Sequence, residues 1–444
     1  MSDQSAEPDS LTSTPPNGEI DLSTFRTHFP SLALEQNGQP VVYLDNPGGT
    51  QVPQFCIDAI AAYLSASNAN TDGAFVTSRS TNALLAEAHA SAAEFLGAAD
   101  PREIVFGANM TTLTFSLSRA IGRTLTVGDE IVITALDHDA NAAPWQALAE
   151  ERGVIIRVAD IDPATCTLDM ADLRSKITER TKVVAVGYAS NAVGTINDVP
   201  TIVEWARDAG AMSFIDAVHF APHGPINVEA LGCDFLVCSA YKFFAPHLGI
   251  LYGRLPLLER LAAYKVRPAT NEPPGKWETG TQNHECLAGL VASLDYLAEL
   301  GSNYTERFGS ELAGMSGQKR ELHAAMLAIS EYERKLVTRL LAGLRELAGT
   351  HIYGLTAEQD LHRRVPTVML TIDGYSPREL AEALATRGIF CWDGNYYALN
   401  LMERLNLEPT GGALRIGLAH YNTVEEVDRV LAALDDIARS TSAA

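Results

Sequence analysis

Short runs of β-branched and other apolar residues alternate with segments of helical periodicity between about residues 40 and 255. The runs that predict strands are EIVFG, EIVITAL, KVVAVGY, MSFIDA and DFLVCS, and helices are predicted between them, for example at 111–121 and 201–209. Strands that are separated by helices pair in parallel through right-handed crossovers. The sequence therefore predicts an α/β structure with helices on both faces of a sheet, in which ligands bind at the carboxyl ends of the strands.

The C-terminal part of the chain has a different pattern. Long helical segments (CLAGLVASLDYLAEL, ERKLVTRLLAGLREL) precede strands near VPTVMLTID and GIFCW, with the helix SPRELAEALATRG between them and a last helix from Val424. This predicts a smaller α+β domain over 286–440 beside a large domain over 21–285, whose first segment, 21–40, is expected to pack on the small domain. Residues 1–20 are rich in Ser, Pro, Asp and Thr, and we expect them to be disordered because they cannot bury enough apolar surface to offset the entropy lost on ordering.

The charge balance disfavours several classes of partner. The chain carries 33 Lys and Arg against 55 Asp and Glu, a net charge of −22 at pH 7, which repels nucleic-acid backbones and anionic membranes. No apolar run approaches the roughly 20 residues of a spanning helix, and the N-terminus lacks the order of a signal peptide. The six cysteines are scattered without a CxxC pair, which is typical of reduced thiols. We therefore expect a cytoplasmic protein that binds neither nucleic acid nor membrane and holds no metal.

One lysine, Lys242, stands among aromatic residues in the stretch CDFLVCSAYKFFAPHLGILYG. An amine that is held against Tyr241, Phe243 and Phe244 and away from water has a lowered pKa, because burial disfavours its charged form. A neutral lysine amine can form an imine with an aldehyde. Taken alone, a lysine whose stem packs on apolar groups while its head reaches water is the commoner explanation.

An aspartate changes that balance. Asp216 ends the apolar strand MSFIDA, and a buried carboxylate needs a cationic partner. A lysine imine together with an aspartate on a protonated pyridine nitrogen is the arrangement that serves pyridoxal phosphate. The phosphate would suit the helix that Met110 and Thr111 open in FGANMTTLTFSLSRAIG, although a simple threonine N-cap explains that pattern equally well. The residues therefore predict pyridoxal 5'-phosphate as cofactor.

Seven segments follow one another along the chain in the order of a known family. They are YLDNPGG (43–49), LDHDANAAPWQ (136–146), SNAVGTIND (190–198), DAVHFAPH (216–223), LGCDFLVCSAYKFFAPHLGILYG (231–253), WETGTQN (277–283) and RIGLAHYNTVEEVDR (415–429). Over about residues 25–440 the chain resembles the class V aminotransferases, and more closely the cysteine desulfurase-like branch of the fold type I enzymes that use pyridoxal phosphate. The resemblance implies a large domain with a mostly parallel seven-stranded sheet between helices, a smaller C-terminal α+β domain, and a homodimer with shared active sites.

The resemblance also implies a role for each matching residue. The catalytic roles are the Schiff-base lysine for Lys242, the partner of the ring nitrogen for Asp216 and the side chain stacked on the ring for His138. Cofactor contacts are implied for Met110, Thr111, Asn191, His219, Ser239 and Tyr241, and for Thr281 of a neighbouring subunit. Substrate contacts are implied for Arg415, whose planar fork would grip the carboxylate, and for Tyr397 and Asn46.

Departures from the family pattern are found at several of these positions. Tyr241 stands where the desulfurases usually have histidine, and His219 stands where they usually have glutamine. The phosphate loop reads NMTT where small residues are usual. Most importantly, Tyr397 occupies the position of the mobile cysteine that carries the persulfide, and Cys391, six residues earlier, lies in an apolar run that predicts a strand in the core.

The expected reaction follows from the resemblance. An amino acid would form an external aldimine with the cofactor and then carry negative charge at Cα. Because Arg415 would fix the carboxylate, we expect another bond to break, and β-elimination by a C–S lyase without a persulfide cysteine is the first expectation. Transamination by a class V aminotransferase, epimerisation and decarboxylative carbon–carbon bond formation stay open. A non-catalytic scaffold that binds pyridoxal phosphate also stays open, although the complete catalytic set favours an enzyme.

Overall fold

The computed structural model describes residues 18–442. Its helices are α1 Gln54–Ala66, α2 Val76–Leu96, α3 Met110–Gly122, α4 Ala143–Arg152, α5 Met170–Lys176, α6 Val199–Asp208, α7 Val228–Leu231, α8 Leu255–Arg260, α9 His284–Ser302, α10 Gly317–Arg345, α11 Pro377–Ala385, α12 Leu399–Arg404 and α13 Val424–Ser442. Its strands are β1 Glu35–Gln36, β2 Gln39–Pro40, β3 Val42–Tyr43, β4 Ile104–Gly107, β5 Glu130–Thr134, β6 Ile155–Ala159, β7 Ile161–Asp162, β8 Thr167–Leu168, β9 Thr181–Gly187, β10 Met212–Asp216, β11 Phe235–Ser239, β12 Gly249–Gly253, β13 Thr350–Tyr353, β14 Thr367–Ile372, β15 Ile389–Phe390, β16 Trp392–Gly394 and β17 Ala413–Gly417.

The predicted mostly parallel, seven-stranded sheet is confirmed. Its strand order is β4-β12-β11-β10-β9-β5-β6, and the four pairs from β11 to β6 are parallel, whereas β12 runs antiparallel to both of its neighbours. Strands β10 and β11 are almost entirely buried, as expected of strands with a helical layer on each face. All five strands that the sequence predicts between about residues 40 and 255 belong to this sheet, and the fold is of the α/β class.

A second sheet of four antiparallel strands, ordered β13-β14-β17-β16, forms in the C-terminal part. The predicted boundary between residues 285 and 286 falls in the first turn of α9, between the parts of the chain that build the two sheets. The predicted strand GIFCW is divided into β15 and β16. Strand β15 pairs with β3, which ties the N-terminal segment to the C-terminal part of the chain.

The segment 21–40 packs on residues of the C-terminal part. The ring of Phe25 contacts Tyr296 of α9, with ring centroids 6.2 Å apart, and Arg26 forms an ion pair with Glu426 of α13 at 2.8 Å. Of the predicted disordered tail, residues 1–17 lie outside the described residues. Ile20 is buried, and its carbonyl oxygen accepts a hydrogen bond from Lys335 Nζ at 3.0 Å, so the packed chain begins no later than this residue.

The carboxyl ends of the parallel strands lie side by side at one edge of the large sheet. Strand β9 ends at Gly187, β10 at Asp216 and β11 at Ser239, and register pairing places Asp216 opposite Gly187. Across the antiparallel strand β12, Gly249 lies against the loop before α3: a Cβ at this position would meet the main chain of Asn109 at 2.4 Å. Glycine is therefore required for the N-terminus of α3 to approach this edge of the sheet.

Candidate active site

A cavity of about 630 Å³ opens at the carboxyl edge of the large sheet. Its walls come from both sheets, because residues of β16, β17 and the loop after β16 face the ends of β9, β10 and β11. Eleven of the thirteen residues singled out from sequence line this cavity: Met110, Thr111, His138, Asn191, Asp216, His219, Ser239, Tyr241, Lys242, Tyr397 and Arg415. The fold thus brings together residues that are separated by more than 300 positions in the chain.

Lys242 ends the short 3-10 helix that follows β11. Its Nζ donates hydrogen bonds to the carbonyl oxygens of Pro47 and Gly48, the second at 2.9 Å, and lies 4.8 Å from the centroid of the Tyr241 ring. Burial, and next the charge of Arg415, lower the pKa of Lys242 from 10.5 to about 7. The amine is therefore largely neutral just above neutral pH, which is the form that attacks an aldehyde.

This lowered pKa predicts selective chemistry at Lys242 in the cofactor-free chain. The amine loses its proton as the pH rises through about 7, so its reaction with an aldehyde reagent should rise through pH 7 and level off above it. Reductive labelling with a small aldehyde and borohydride at pH 7.5, followed by peptide mass analysis, should modify Lys242 before Lys335, a half-exposed lysine of α10. Equal labelling of the two at this pH would contradict the prediction.

Asp216 is buried at the end of β10, and one of its carboxylate oxygens accepts a hydrogen bond from the backbone N–H of Val218 at 2.9 Å. No ion pair of this carboxylate is found within residues 18–442. Burial raises the pKa of Asp216 from 3.8 to about 6, against the opposing effect of Lys242. A cationic group bound beside it would offset the cost of burying the charge.

His138 lies directly before the 3-10 helix Asp139–Asn141. Its Nδ1 accepts a hydrogen bond from the N–H of Ala140 at 3.0 Å, so the proton of the neutral ring is on Nε2. Burial, with the charges of Lys242 and Arg415, lowers the pKa of His138 to about 4. The neutral ring lines the cavity and stacks on Tyr397, another lining residue, with centroids 5.5 Å apart and planes at 25°.

The N-terminus of α3 forms one end of the cavity. Asn109, not a threonine, caps this helix, because its side-chain oxygen accepts a hydrogen bond from the N–H of Thr112 at 2.9 Å. Thr111 is exposed and lines the cavity. The N–H of Met110 donates to Ser239 Oγ at 3.0 Å, which joins the helix to the end of β11. Backbone N–H groups at a helix start and two hydroxyls are what a phosphate group requires.

Two polar side chains enter the cavity from the loops after β9 and β10. Asn191 donates through Nδ2 to the carbonyl oxygen of Tyr396 at 2.9 Å, while its buried Oδ1 has no partner in the described part of the chain. His219 Nε2 lies 2.9 Å from Thr367 Oγ1 of β14, and burial holds its pKa well below the usual range. Both contacts join the two halves of the cavity.

Arg415 lies on β17 and is 4% exposed. Its Nη2 donates to Asp45 Oδ1 at 2.9 Å and its Nη1 to the carbonyl oxygen of Asn191 at 3.1 Å. The guanidinium carbon lies 4.5 Å from the centroid of the Tyr396 ring. Its Nε is buried and has no partner among residues 18–442, so the guanidinium retains donor capacity for a ligand.

Two of the thirteen residues do not line the cavity. Asn46 was expected to contact substrate, but its amide is occupied: Nδ2 donates to Gly417 O at 2.8 Å and to Asn422 Oδ1 at 3.0 Å, and Oδ1 accepts from the hydroxyl of Tyr421. These contacts hold the Asn46 side chain in the packing between the turn after β3 and the start of α13, and its expected contact with substrate stays a prediction. Thr281 is exposed and away from its own cavity. Its expected contact with a second subunit stays a prediction.

Sequence reasoning missed eight cavity residues that carry polar or aromatic groups: Asp45, Phe115, Asp137, Asp139, Ser190, Asn197, Trp392 and Tyr396. Asp45 lies two residues after β3, inside the segment YLDNPGG. Asp137 accepts hydrogen bonds from the N–H groups of Thr134 and Gly187, at 2.9 and 2.5 Å. It thereby ties the ends of β5 and β9 together and fixes the loop that carries His138.

The cavity fits pyridoxal phosphate. Within residues 18–442, it combines a lysine with a lowered pKa, a buried aspartate without an ionic partner, a neutral histidine ring, a helix N-terminus, and two buried polar atoms that lack partners. These groups match the aldehyde, the ring nitrogen, the ring face, the phosphate and the remaining polar atoms of the cofactor and an amino acid. The fold and the cavity together define an enzyme of the fold type I class that depends on pyridoxal phosphate.

Comparisons with known proteins agree with this class of enzyme. The profile of the family described as "Aminotransferase class-V" matches residues 42–326 and 321–430. The cysteine desulfurase of Yersinia pseudotuberculosis serotype O:1b (strain IP 31758) is 32% identical over 437 residues, which cover 94% of this chain and 98% of that protein. The chain belongs to the class V aminotransferase family, and within it to the pyridoxal-phosphate-dependent enzymes that are similar to cysteine desulfurases.

Solved structures show the same likeness. The apo cysteine desulfurase of Thermococcus onnurineus NA1 has a TM-score of 0.78 at 28% identity, over 90% of this chain and 95% of that one. The cysteine desulfurase CsdA of Escherichia coli, in an S-sulfonic acid form, has a TM-score of 0.79 at 25% identity, over 95% of this chain and 99% of that one. Within residues 18–442, no helix has both the length and the apolar character needed to cross a membrane.

Proposed function

We propose that this protein binds pyridoxal phosphate and cleaves the C–S bond of a cysteine-type amino acid by β-elimination, without a persulfide on the protein. The observation that carries this proposal is the absence of a thiol from the cavity. All six cysteines of the chain lie within residues 18–442, and none of them lines the cavity. A persulfide mechanism needs a cysteine thiolate that reaches the substrate sulfur.

The position of Cys391 supports this proposal. It lies between β15 and β16, outside the cavity lining, and burial raises the pKa of its thiol far above the usual range. A thiol in such surroundings stays protonated and is a poor nucleophile. Tyr397 is 71% exposed at the tip of the following loop, where it stacks on His138. A phenol in this place contacts the substrate side chain but cannot accept its sulfur.

Named groups of the chain would hold the cofactor. The N–H groups and hydroxyls at the start of α3 and the end of β11 would bind the phosphate, through Met110, Thr111 and Ser239. Asp216 would face the ring nitrogen, His138 the ring face, and Asn191 and His219 the phenolic oxygen. When bound, pyridoxal phosphate supplies an electron-withdrawing ring that accepts the charge left on a substrate carbon.

The remaining groups of the site would act on the substrate. Arg415 holds the α-carboxylate and so fixes the orientation of the bonds at Cα. The neutral amine of Lys242 removes the proton from Cα as a base, and the ammonium it becomes can return a proton. The sulfur then leaves Cβ with the bonding electron pair. A thiolate is a good leaving group near neutral pH, so the site needs no strong acid at this step.

The products decide between β-elimination and desulfuration. β-Elimination converts L-cysteine and water into pyruvate, ammonia and hydrogen sulfide, whereas desulfuration leaves alanine and a protein persulfide. We expect the holoenzyme to give pyruvate and sulfide in equal amounts from L-cysteine, and pyruvate and the corresponding thiol in equal amounts from an S-substituted cysteine, with no alanine. We expect Cys391→Ser to retain this activity, because its thiol lies outside the cavity. Cys286→Ser is a matched control, since Cys286 is the other half-buried cysteine.

Other outcomes would assign a different reaction. Alanine formation with a protein-bound sulfur that is lost in Cys391→Ser would overturn the proposal and identify a desulfurase. Inversion at Cα without loss of sulfur would identify an epimerase, and transfer of the amino group to a 2-oxo acid would identify an aminotransferase. Binding of the cofactor without turnover of any amino acid in the series would favour the scaffold.

A homodimer is part of the proposed function. Thr281 is exposed in the segment before α9 and does not reach the cavity of its own chain, so a second copy would have to present it to the phosphate.

A further inference from the structure

The turn after β3 places a carboxylate where the substrate carboxylate is expected. Asp45 Oδ1 accepts the hydrogen bond from Arg415 Nη2 at 2.9 Å, and the two side chains are 16% and 5% exposed. Asp45 lines the cavity. Pro47 and Gly48 of the same turn also line it, and their carbonyl oxygens accept hydrogen bonds from Lys242. The guanidinium that would bind the substrate carboxylate thus already has one N–H group bonded to the carboxylate of Asp45.

We infer that Asp45 is a specificity-determining residue that holds Arg415 in place and weakens its grip on the substrate's α-carboxylate. The inference rests on the proposed function only in taking Arg415 as the carboxylate-binding group. A second carboxylate that binds the same guanidinium experiences repulsion from Asp45 as well as attraction to Arg415. The positive charge of Arg415 is therefore partly offset by Asp45. The substrate carboxylate binds this arginine more weakly than it would bind an arginine without an ionic partner.

The carboxylate of Asp45 is held at this place by packing. A Cβ on Gly48 would lie 2.2 Å from Asp45 Oδ2 and 2.7 Å from Asp45 Cγ, so any larger residue at position 48 would displace the carboxylate. Gly417 of β17 is similarly restricted, because its Cβ would meet the Pro47 ring at 2.1 Å. The backbone of the turn is thus packed closely against the strand that carries Arg415, which places the Asp45 side chain beside the guanidinium.

Variants at positions 45 and 48 separate charge from position. Asp45→Asn keeps an oxygen that can accept the hydrogen bond from Arg415 but removes the charge. Asp45→Ala removes both. Gly48→Ala keeps the charge and displaces it. Asp58→Asn is the matched control, because Asp58 is exposed on α1, where its carboxylate accepts a hydrogen bond from Gln54 Nε2 at 2.7 Å, and it does not line the cavity.

The measurement is the dissociation constant of L-alanine, a ligand that has the carboxylate but no leaving group, from the change in cofactor absorbance of the holoenzyme. Alaninamide, which lacks the negative charge, is measured in parallel. We expect Asp45→Asn to bind alanine about tenfold more tightly than the natural sequence, or about 1.4 kcal/mol. Gly48→Ala should bind alanine more weakly than Asp45→Asn, because its displaced carboxylate no longer holds the guanidinium. Alaninamide binding should not change. Asp45→Ala should bind alanine more weakly than Asp45→Asn, because its guanidinium is no longer held.

Each outcome bears on the inference. Unchanged alanine binding in Asp45→Asn, or equal tightening for alanine and alaninamide, would overturn it. Weaker alanine binding in Asp45→Asn would also overturn it, since Asp45 would then assist the substrate. The proposed function fails separately: a holoenzyme that binds alanine as expected but releases no pyruvate from cysteine derivatives would contradict the lyase and leave the role of Asp45 intact.

Discussion

Replacing Lys242 with alanine is expected to abolish turnover and the covalent attachment of the cofactor. The chain would lose the amine that joins the aldehyde and also the base that moves the Cα proton. A positioned acid/base contributes about 10²–10⁴ to a rate, so a loss of about 10³-fold or more is expected. Turnover is measured by pyruvate release, and attachment by the visible absorption band and by borohydride fixation of the cofactor to a peptide that contains residue 242.

Lys276 provides a matched control for this experiment. Like Lys242 it is held by main-chain carbonyl groups, those of Leu258 and Glu259 at 3.0 and 2.6 Å, and burial lowers its pKa. It does not line the cavity. Lys276→Met should therefore keep the absorption band and the activity. If the band persisted in Lys242→Ala and the cofactor were fixed at another lysine, the assignment of Lys242 would be wrong.

The strands of the large sheet could be predicted from sequence because their burial is encoded locally. Runs such as DFLVCS are apolar throughout, as strands covered on both faces must be. Strand β6 escaped prediction because it lies at the edge of the sheet and only its last residue is buried. Strand β12 was missed because its antiparallel insertion between β4 and β11 depends on pairing between distant parts of the chain. The local pattern of apolar and polar residues does not indicate which distant strands pair.

The site residues on β10 and β11 could be found because each signal is local. Asp216 ends an apolar strand, and Lys242 follows one, so topology alone brings them to the same edge. The turn after β3 shows the limit of this reasoning. Asp45 and Asn46 are adjacent polar residues, and the sequence does not say which of them faces the cavity. An isolated β-bridge between Asp45 and Gly417 fixes the orientation of the turn. The Asp45 side chain then pairs with Arg415, and the Asn46 side chain makes packing contacts outside the cavity.

The buried carboxylate of Asp216 is expected to lower the stability of the folded chain in the absence of cofactor. Burial raises the pKa of Asp216 from 3.8 to about 6 in the folded chain. A raised folded-state pKa means that the folded form binds the proton more tightly than the unfolded form does. Stability is therefore lost as the pH rises from about 4 to about 6, and the full penalty, on the order of 3 kcal/mol, is present above pH 6. A bound pyridinium cation would remove this penalty.

Replacing Asp216 with asparagine should therefore have opposite effects on stability and activity. Activity should fall about 10²–10³-fold, the size of effect seen when a preorganised charge is removed from an active site. The cofactor-free variant should unfold at a higher temperature than the natural chain at pH 8. The difference should shrink as the pH falls through 6 and vanish well below pH 4, where Asp216 is protonated in both the folded and the unfolded state. Saturating pyridoxal phosphate should reverse the order at pH 8, because only the natural chain gains the ion pair. A variant that is less stable than the natural chain at pH 8 without cofactor would show that Asp216 has another partner, and would remove the argument that this carboxylate is kept for a cationic ring.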